Sequence, residues 1–228
     1  MLGSNFPIRE NLSEVDELRR RGVFLFRNFL NDIQDDNLPH SSPEEIVNDL
    51  RHVIRKAPLY TPVMRNGTPF RYRMTCCGKY GWVSDRNGYR YEAINPYTER
   101  PWPLIPRSIY DATVCAARRA GFLPFEPETC LINFYSTEEA SLGLHQDSTE
   151  RNLNAPVISL SLGDSGVFLL GGRNRTDPTQ PILLESGDCL VLGGPARSRY
   201  HSFARTLPGT SNLLKYGGRV SLTIRQVD

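Results

Sequence analysis

A chain of 228 residues with 39 % apolar and 10 % aromatic side chains is long enough to bury one substantial core and too apolar for general disorder. Its formal charge of +2 excludes a strongly basic or acidic protein, so any nucleic-acid footprint has to be a local patch. Five cysteines, an odd number without C-x-x-C spacing, fit neither a disulfide framework nor a zinc knuckle and point to reduced thiols. The N-terminus MLGSNFPIRE has no basic-then-apolar signal pattern. No apolar run approaches the ~20 residues needed to span a bilayer. A cytoplasmic monomer with no membrane partner is expected.

Residues 1–125 read as a mixed extension and 126–228 as a β core, the two forming one unit. Gly22 to Leu30 alternates as a strand does. Ser42-Pro43-Glu44-Glu45 opens a helix, with Ser42 as cap, Pro43 at the first helical position and acids in the first turn. Ile46, Leu50, Val53 and Ile54 give that helix one apolar stripe before Pro58 stops it. A second helix is expected from about Arg107 to Ala120, ended by Gly121.

Between the helices, Arg65 to Tyr97 is rich in aromatics (Phe70, Tyr72, Trp82, Tyr89, Tyr91) and basic residues (Arg71, Arg73, Lys79, Arg86), and glycines cut it into short hairpins. From Glu128 onward the pattern is all-β. Runs at Thr129–Tyr135, Pro156–Leu162, Val167–Leu170, Ile182–Leu184, Cys189–Leu192 and Arg219–Gln226 are separated mostly by glycine-containing turns. Without helical crossovers between them, these strands predict a sandwich or jelly roll.

The chemistry is concentrated in His145-Gln146-Asp147, His201, Arg219 and Arg225. On an extended segment, residues two apart share a face, so His145 and Asp147 project together while Gln146 points away. Two imidazoles and one carboxylate form the set that holds non-haem Fe(II) and leaves positions open. A lone His-x-Asp is more often structural than a ligand pair, and zinc accepts the same donors. His40 and His52, the other two histidines, read as solvated.

The strand Arg219 to Arg225 separates the possibilities. Arg219, Ser221, Thr223 and Arg225 share one face; Val220, Leu222 and Ile224 share the other. Arginine stays charged and grips carboxylates in bidentate fashion, so the pair suits a short dicarboxylate. Taken alone, the strand reads more readily as an exposed edge whose polar face meets solvent; its place after His-x-Asp…His reverses that balance.

Several ordered segments resemble the AlkB family of Fe(II)- and 2-oxoglutarate-dependent dioxygenases, which repair alkylated bases: Cys130-Leu131-Ile132-Asn133-Phe134-Tyr135, Leu144-His145-Gln146-Asp147, Ala155 to Gly163, and Arg219-x5-Arg225. Gly81-Trp82 and Pro101-Trp102-Pro103 are similar to its bacterial branch. The resemblance implies a mixed α+β, mainly β fold, with a double-stranded β-helix (jelly-roll) core, flanking helices and a nucleotide-recognition lid at about 65–97. It implies iron on His145, Asp147 and His201, which would be the catalytic set. It puts the far carboxylate of 2-oxoglutarate on Arg219 and Tyr135, and the chelating end near Arg225 and Asn133. Ser221 also belongs to the co-substrate site. Trp82, Tyr89 and the His145 ring would enclose the extruded base, with Met74, Thr149 and Arg175 as further substrate contacts.

The implied reaction is oxidative demethylation of 1-methyladenine- or 3-methylcytosine-type lesions using O2, releasing formaldehyde, succinate and CO2. The partner would be single-stranded or locally opened DNA, with RNA (tRNA) as the alternative. The lid composition agrees independently: a buried base must leave the stack to be reached, and aromatics and arginines are what stacking and phosphate contact need. Two residues depart from the family pattern. Thr149 stands where the family often has aspartate, which leaves base preference open, and Ser221 stands where it often has asparagine. An oxygenase of a protein or small molecule and a non-catalytic jelly-roll binding module are the competing expectations.

Overall fold

The protein, represented by a computed structural model, is described at residues 12–32, 41–136 and 139–228; His40 and the polar stretch before it lie outside these. In chain order the elements are α1 (Leu12–Arg20), β1 (Val23–Phe26), α2 (Pro43–Lys56), β2 (Arg73–Gly78), β3 (Gly81–Asp85), β4 (Gly88–Glu92), β5 (Ile94–Asn95), β6 (Arg100–Pro101) and α3 (Arg107–Arg119). There follow β7 (Thr129–Tyr135), β8 (Leu142–His145), β9 (Val157–Gly163), β10 (Ser165–Leu170), β11 (Gln180–Leu184), β12 (Cys189–Leu192), β13 (His201–Leu207) and β14 (Arg219–Arg225).

Both expected helices form. Ser42 Oγ accepts from the Glu45 amide at 3.2 Å, satisfying one of the donors a helix start leaves bare, and Gly121 follows α3 with φ +81°. The alternating run after Gly22 is shorter than expected. It pairs with β12 only over Val23–Phe26, because Asn28 turns the chain (φ 51°) and its amide binds Asp188 Oδ1 at 2.9 Å. Helix α1 had no expected counterpart; Leu18 on it is buried in a small cluster with Val23, Leu190 and Leu192.

Two antiparallel sheets make the jelly roll. One has the order β1-β12-β9-β14-β7-β2, the other β11-β10-β13-β8. Helices α2 and α3 cover the outer face of the larger sheet: Ile46, Leu50, Val53, Ile109 and Ala116 pack with Ile132, Ile158, Leu160, Leu222 and Ile224. Each such aliphatic side chain stabilises the fold by ~1.5–3 kcal/mol on burial, and Leu222→Ala would cost about 2–5 kcal/mol. The inner face is left for polar residues that look toward the smaller sheet.

The aromatic, basic stretch is only partly a set of hairpins. Arg73–Gly78 is a strand of the larger sheet, paired along its length with β7, while β3 and β4 form a separate hairpin. At the base of that hairpin a Cβ on Gly81 would lie 2.1 Å from the Trp102 indole, so only glycine lets the ring pack there. Trp102 Nε1 then donates to Glu92 O at 2.9 Å and fixes the hairpin's end. All five cysteines are buried, and none is in a disulfide. Burial pushes the Cys76 thiol up to about 12 and raises Cys189 as well. Among the described residues no helix is long and apolar enough to cross a membrane.

Candidate active site

Strand pairing brings the two histidines together. β8 and β13 are neighbours with His145 directly opposite His201, and their ring centroids are 4.4 Å apart. His145 Nδ1 lies 2.8 Å from Gly143 O, and His201 Nδ1 lies 3.1 Å from Arg199 O. A carbonyl only accepts, so each Nδ1 carries the proton and each Nε2 is left bare. Strand β8 ends at His145, and Asp147 sits just past that end rather than on a longer strand.

Its carboxylate nonetheless reaches both rings: Oδ1 is 3.8 Å from His145 Nε2 and Oδ2 is 3.7 Å from His201 Nε2. One donor atom from each of the three residues falls within 4.8 Å of the others. Asp147 Oδ2 is buried without a hydrogen-bond partner, an arrangement whose desolvation cost a cation offsets. Burial opposes the charge on Asp147, but Arg225, His201 and His145 outweigh it and hold the carboxyl well below its ordinary range. Burial, with the neighbouring His145, pushes His201 down to about 4, so the ring is neutral at physiological pH, as a metal ligand must be. The donor set fits a divalent ion with open positions, by its types alone zinc as well as iron.

The set opens into a cavity of about 400 Å³ whose walls include Asn133, Tyr135, Arg219, Ser221, Thr223 and Arg225 from the larger sheet. The inward-facing reading of Arg219 to Arg225 therefore holds, and the exposed-edge alternative does not. β14 is paired on both sides, with β7 and β9, and its polar face lines the cavity.

The two arginines have different surroundings. Arg219 is 1 % exposed and donates only to neutral oxygens: Asp164 O at 3.1 Å, Leu184 O at 3.2 Å and Ser161 Oγ at 2.7 Å. Its Nε has no partner. Burial pulls this guanidinium down to about 10, still charged at neutral pH, which marks a cation short of an anion. Arg225 Nη2 instead donates to Asp147 Oδ1 at 2.8 Å, and its Nε lies 3.3 Å from Glu150 Oε1, outside hydrogen-bond geometry. Its Nη1 is unpartnered.

At the cavity mouth Trp82 stacks on Tyr89, centroids 5.5 Å apart and planes 18° off parallel. Both line the cavity with His145, Thr149 and Arg175. Met74 is a correction. It is fully buried in an apolar cluster with Tyr72, Cys76, Val83 and Leu131, and of these Tyr72 and Leu131 reach the cavity whereas Met74 does not. Its strand is part of the main sheet, and Tyr60, Phe70 and Trp82 pack against the cluster that encloses the side chain.

Residues missed in the sequence surround the ligands. Phe168 stacks on His201 at 5.5 Å and 23°. Arg197 donates to Asp147 O at 2.5 Å, Ala155 O at 2.9 Å and Glu150 Oε2 at 2.8 Å. It thereby fastens both ends of the loop that carries Asp147. Glu150 also accepts from Tyr91 of the β3–β4 hairpin. No periodicity marks Arg197; Glu150 had only its place beside Thr149 as a signal.

Comparison with known proteins settles which metal chemistry this is. Residues 22–225 match the 2OG-Fe(II) oxygenase superfamily. The alpha-ketoglutarate-dependent dioxygenase AlkB of Escherichia coli (strain K12) is 39 % identical over 186 residues, covering 82 % of this chain and 85 % of that protein. The chain belongs to the AlkB family. The solved structure of OsALKBH1 is similar to this member at 30 % identity and a TM-score of 0.73, covering 90 % of this chain and 98 % of that one. The DNA N(6)-methyladenine demethylase ALKBH1D of Arabidopsis thaliana is 31 % identical over 236 residues, which cover 94 % of this chain and 51 % of that longer protein. This AlkB-family chain is an Fe(II)- and 2-oxoglutarate-dependent dioxygenase, and its cofactors are Fe(II), 2-oxoglutarate and O2.

Proposed function

We propose that this dioxygenase oxidatively demethylates N-alkylated bases, of the 1-methyladenine and 3-methylcytosine type, in single-stranded or locally opened DNA. The observation that carries the reading is one cavity shared by three kinds of group: the His145–Asp147–His201 face, the acid-free Arg219, and the stacked Trp82–Tyr89 pair. His145, Asp147 and His201 would hold the iron. When bound, iron and 2-oxoglutarate supply the oxidising chemistry, in which O2 converts the co-substrate to succinate and CO2 and the N-methyl group leaves as formaldehyde.

The chain's own residues bind and orient. Arg219, with Tyr135 beside it, takes the far carboxylate of 2-oxoglutarate; a buried cation without an anion gains most from such a partner. Arg225 and Asn133, both with an unpartnered buried polar atom, stand toward the chelating end, and Ser221 lies between the arginines on the same face. Trp82 and Tyr89 stack on the extruded base. Their ring faces favour a cationic methylated base, by ~0.5–2 kcal/mol per contact. Thr149 and Arg175 reach the base and its backbone at the rim.

The lid of about 65–97, within residues 1–125, thus recognises the nucleotide over the oxygenase core of 126–228. A monomer working in the cytoplasm completes the reading, in keeping with five cysteines outside any disulfide. The test loads the protein with Fe(II) under anaerobic conditions, adds 2-oxoglutarate, O2 and DNA or RNA oligonucleotides with single methyl lesions, and scores methyl loss by mass spectrometry. Loss from DNA is expected. Consumption of 2-oxoglutarate with no lesion demethylated on either polymer would transfer the activity to a protein or small molecule.

A further inference from the structure

Glu150 joins parts of the molecule that the reaction uses separately. Its side chain is 1 % exposed. Arg197 binds Oε2; Tyr91 donates to Oε1, which also faces Arg225 Nε at 3.3 Å. Burial works against the carboxylate's charge, but Arg225 and the hydrogen bonds from Tyr91 and Arg197 prevail and lower its pKa. Arg225 in turn holds Asp147 Oδ1 at 2.8 Å. One guanidinium is therefore shared between Glu150 and the carboxylate of the metal face.

The other end of the chain of contacts is the hairpin that carries the stacking pair. Tyr91 is the register partner of Trp82 across β3 and β4, so whatever holds Tyr91 also holds the strand position of Trp82. Among the described residues no other side-chain hydrogen bond joins residues 81–92 to residues 139–228. Other polar side chains of the hairpin pair within it or with the body beneath: Arg90 binds Asp85 and Glu92, and Ser84 Oγ donates to Val63 O.

We infer that Glu150 is a positioning residue: through Tyr91 it senses the docked hairpin, and through Arg225 it orients Asp147, so that base binding and co-substrate binding strengthen each other. The inference rests on the demethylase reading given above. Outer partners of metal ligands change metal affinity or activity by about 10–100-fold, and any coupling between two bound ligands acts equally in both directions. A base held under Trp82 and Tyr89 keeps the hairpin down, which keeps Tyr91 on Glu150 and leaves Arg225 with one orientation. Without the hairpin contact, Glu150 recruits Arg225 as a replacement donor and draws it off Asp147.

The experiment measures a ratio. Protein loaded with Mn(II), which binds without turning over, is titrated with 2-oxoglutarate by calorimetry, with and without an oligonucleotide carrying one 1-methyladenine. In the wild type the oligonucleotide should tighten 2-oxoglutarate by a factor on the order of 5–150. In Tyr91→Phe, which removes a single hydroxyl, that factor should fall to near one while 2-oxoglutarate affinity without oligonucleotide stays within about twofold of wild type, the ratio being what the coupling reads. Glu150→Gln should abolish the ratio too; because it strands Arg197 and can misfold, Tyr91→Phe decides alone if it does. A purely structural Tyr91 would lower stability and leave the ratio intact. A wild-type factor of one, or one that Tyr91→Phe does not change, overturns the inference. Methyl removal from the same oligonucleotide by the Fe(II) protein is scored in parallel. Removal with unaltered coupling sinks only this inference, and no removal sinks the reading beneath it.

Discussion

The two ends of β14 present the same side chain on the same face to the same cavity, and they are electrostatic opposites. Arg219 is enclosed by carbonyls and a hydroxyl and has no carboxylate. Arg225 is flanked by two carboxylates, Asp147 and Glu150. A buried charge lacking its counter-ion is expensive unless a ligand supplies one, whereas a compensated charge organises what is already there. The difference separates an anchor for an incoming acid from a bracket for a resident one.

Substitutions can break this contrast. Asp147→Ala has the largest expected effect: it removes one of three metal donors and the acid that Arg225 orients, and Fe(II)-dependent 2-oxoglutarate consumption should fall below detection. Wild-type turnover in that variant would end the proposed metal site. Arg219→Met comes next, raising the KM for 2-oxoglutarate about 30-fold or more, the loss expected when one partner of a buried charge pair is removed. Steady-state kinetics across co-substrate concentrations measure it.

Arg225→Met should weaken 2-oxoglutarate binding as well, through the Asp147 that it orients, but unlike Arg219→Met it should also cost stability. It leaves Asp147 and Glu150 facing each other without their shared cation, at a cost of about 3–5 kcal/mol, or on the order of 6–20 °C in Tm for a chain of this size. Thermal melts of the metal-free variants make the comparison, and equal losses for both arginines in both assays would erase the distinction. The smallest effect belongs to Thr149→Asp. An added carboxylate at the exposed position beside Glu150 offers an acceptor to a base amino group and should shift preference between adenine and cytosine lesions by about 1–3 kcal/mol. Competition between the two lesions in one reaction reads this out, and an unchanged ratio would show that Thr149 does not touch the base.

Much of this was legible because it is periodic or chemically rare. Arg219, Ser221, Thr223 and Arg225 alternate strictly with Val220, Leu222 and Ile224, and that pattern alone predicts a two-faced strand; its flanking by β7 and β9 needed coordinates. His145, Asp147 and His201 stood out because the chain has only four histidines. β13 escaped because its ligand histidine begins a run interrupted by Ala204-Arg205, whose outward side the sequence cannot distinguish from a loop. β2 escaped because its neighbours carry the aromatic, basic character of the lid, though five of its six residues are buried. Arg197 and Glu150 are 47 positions apart and act by closing a loop, an event with no local signature. Met74 was expected as a substrate contact because its segment was read as lid throughout.

The burial of all five cysteines has a bearing on the chemical environment of such an enzyme. Methylating agents attack soft nucleophiles, and a thiol reacts chiefly as its thiolate. Here Cys76, Cys77 and Cys189 are held protonated well above neutral pH, and all five sulfurs lie behind packed side chains. The folded chain offers almost no thiol to an electrophile, so an agent that methylates bases would leave the cysteines of this enzyme untouched.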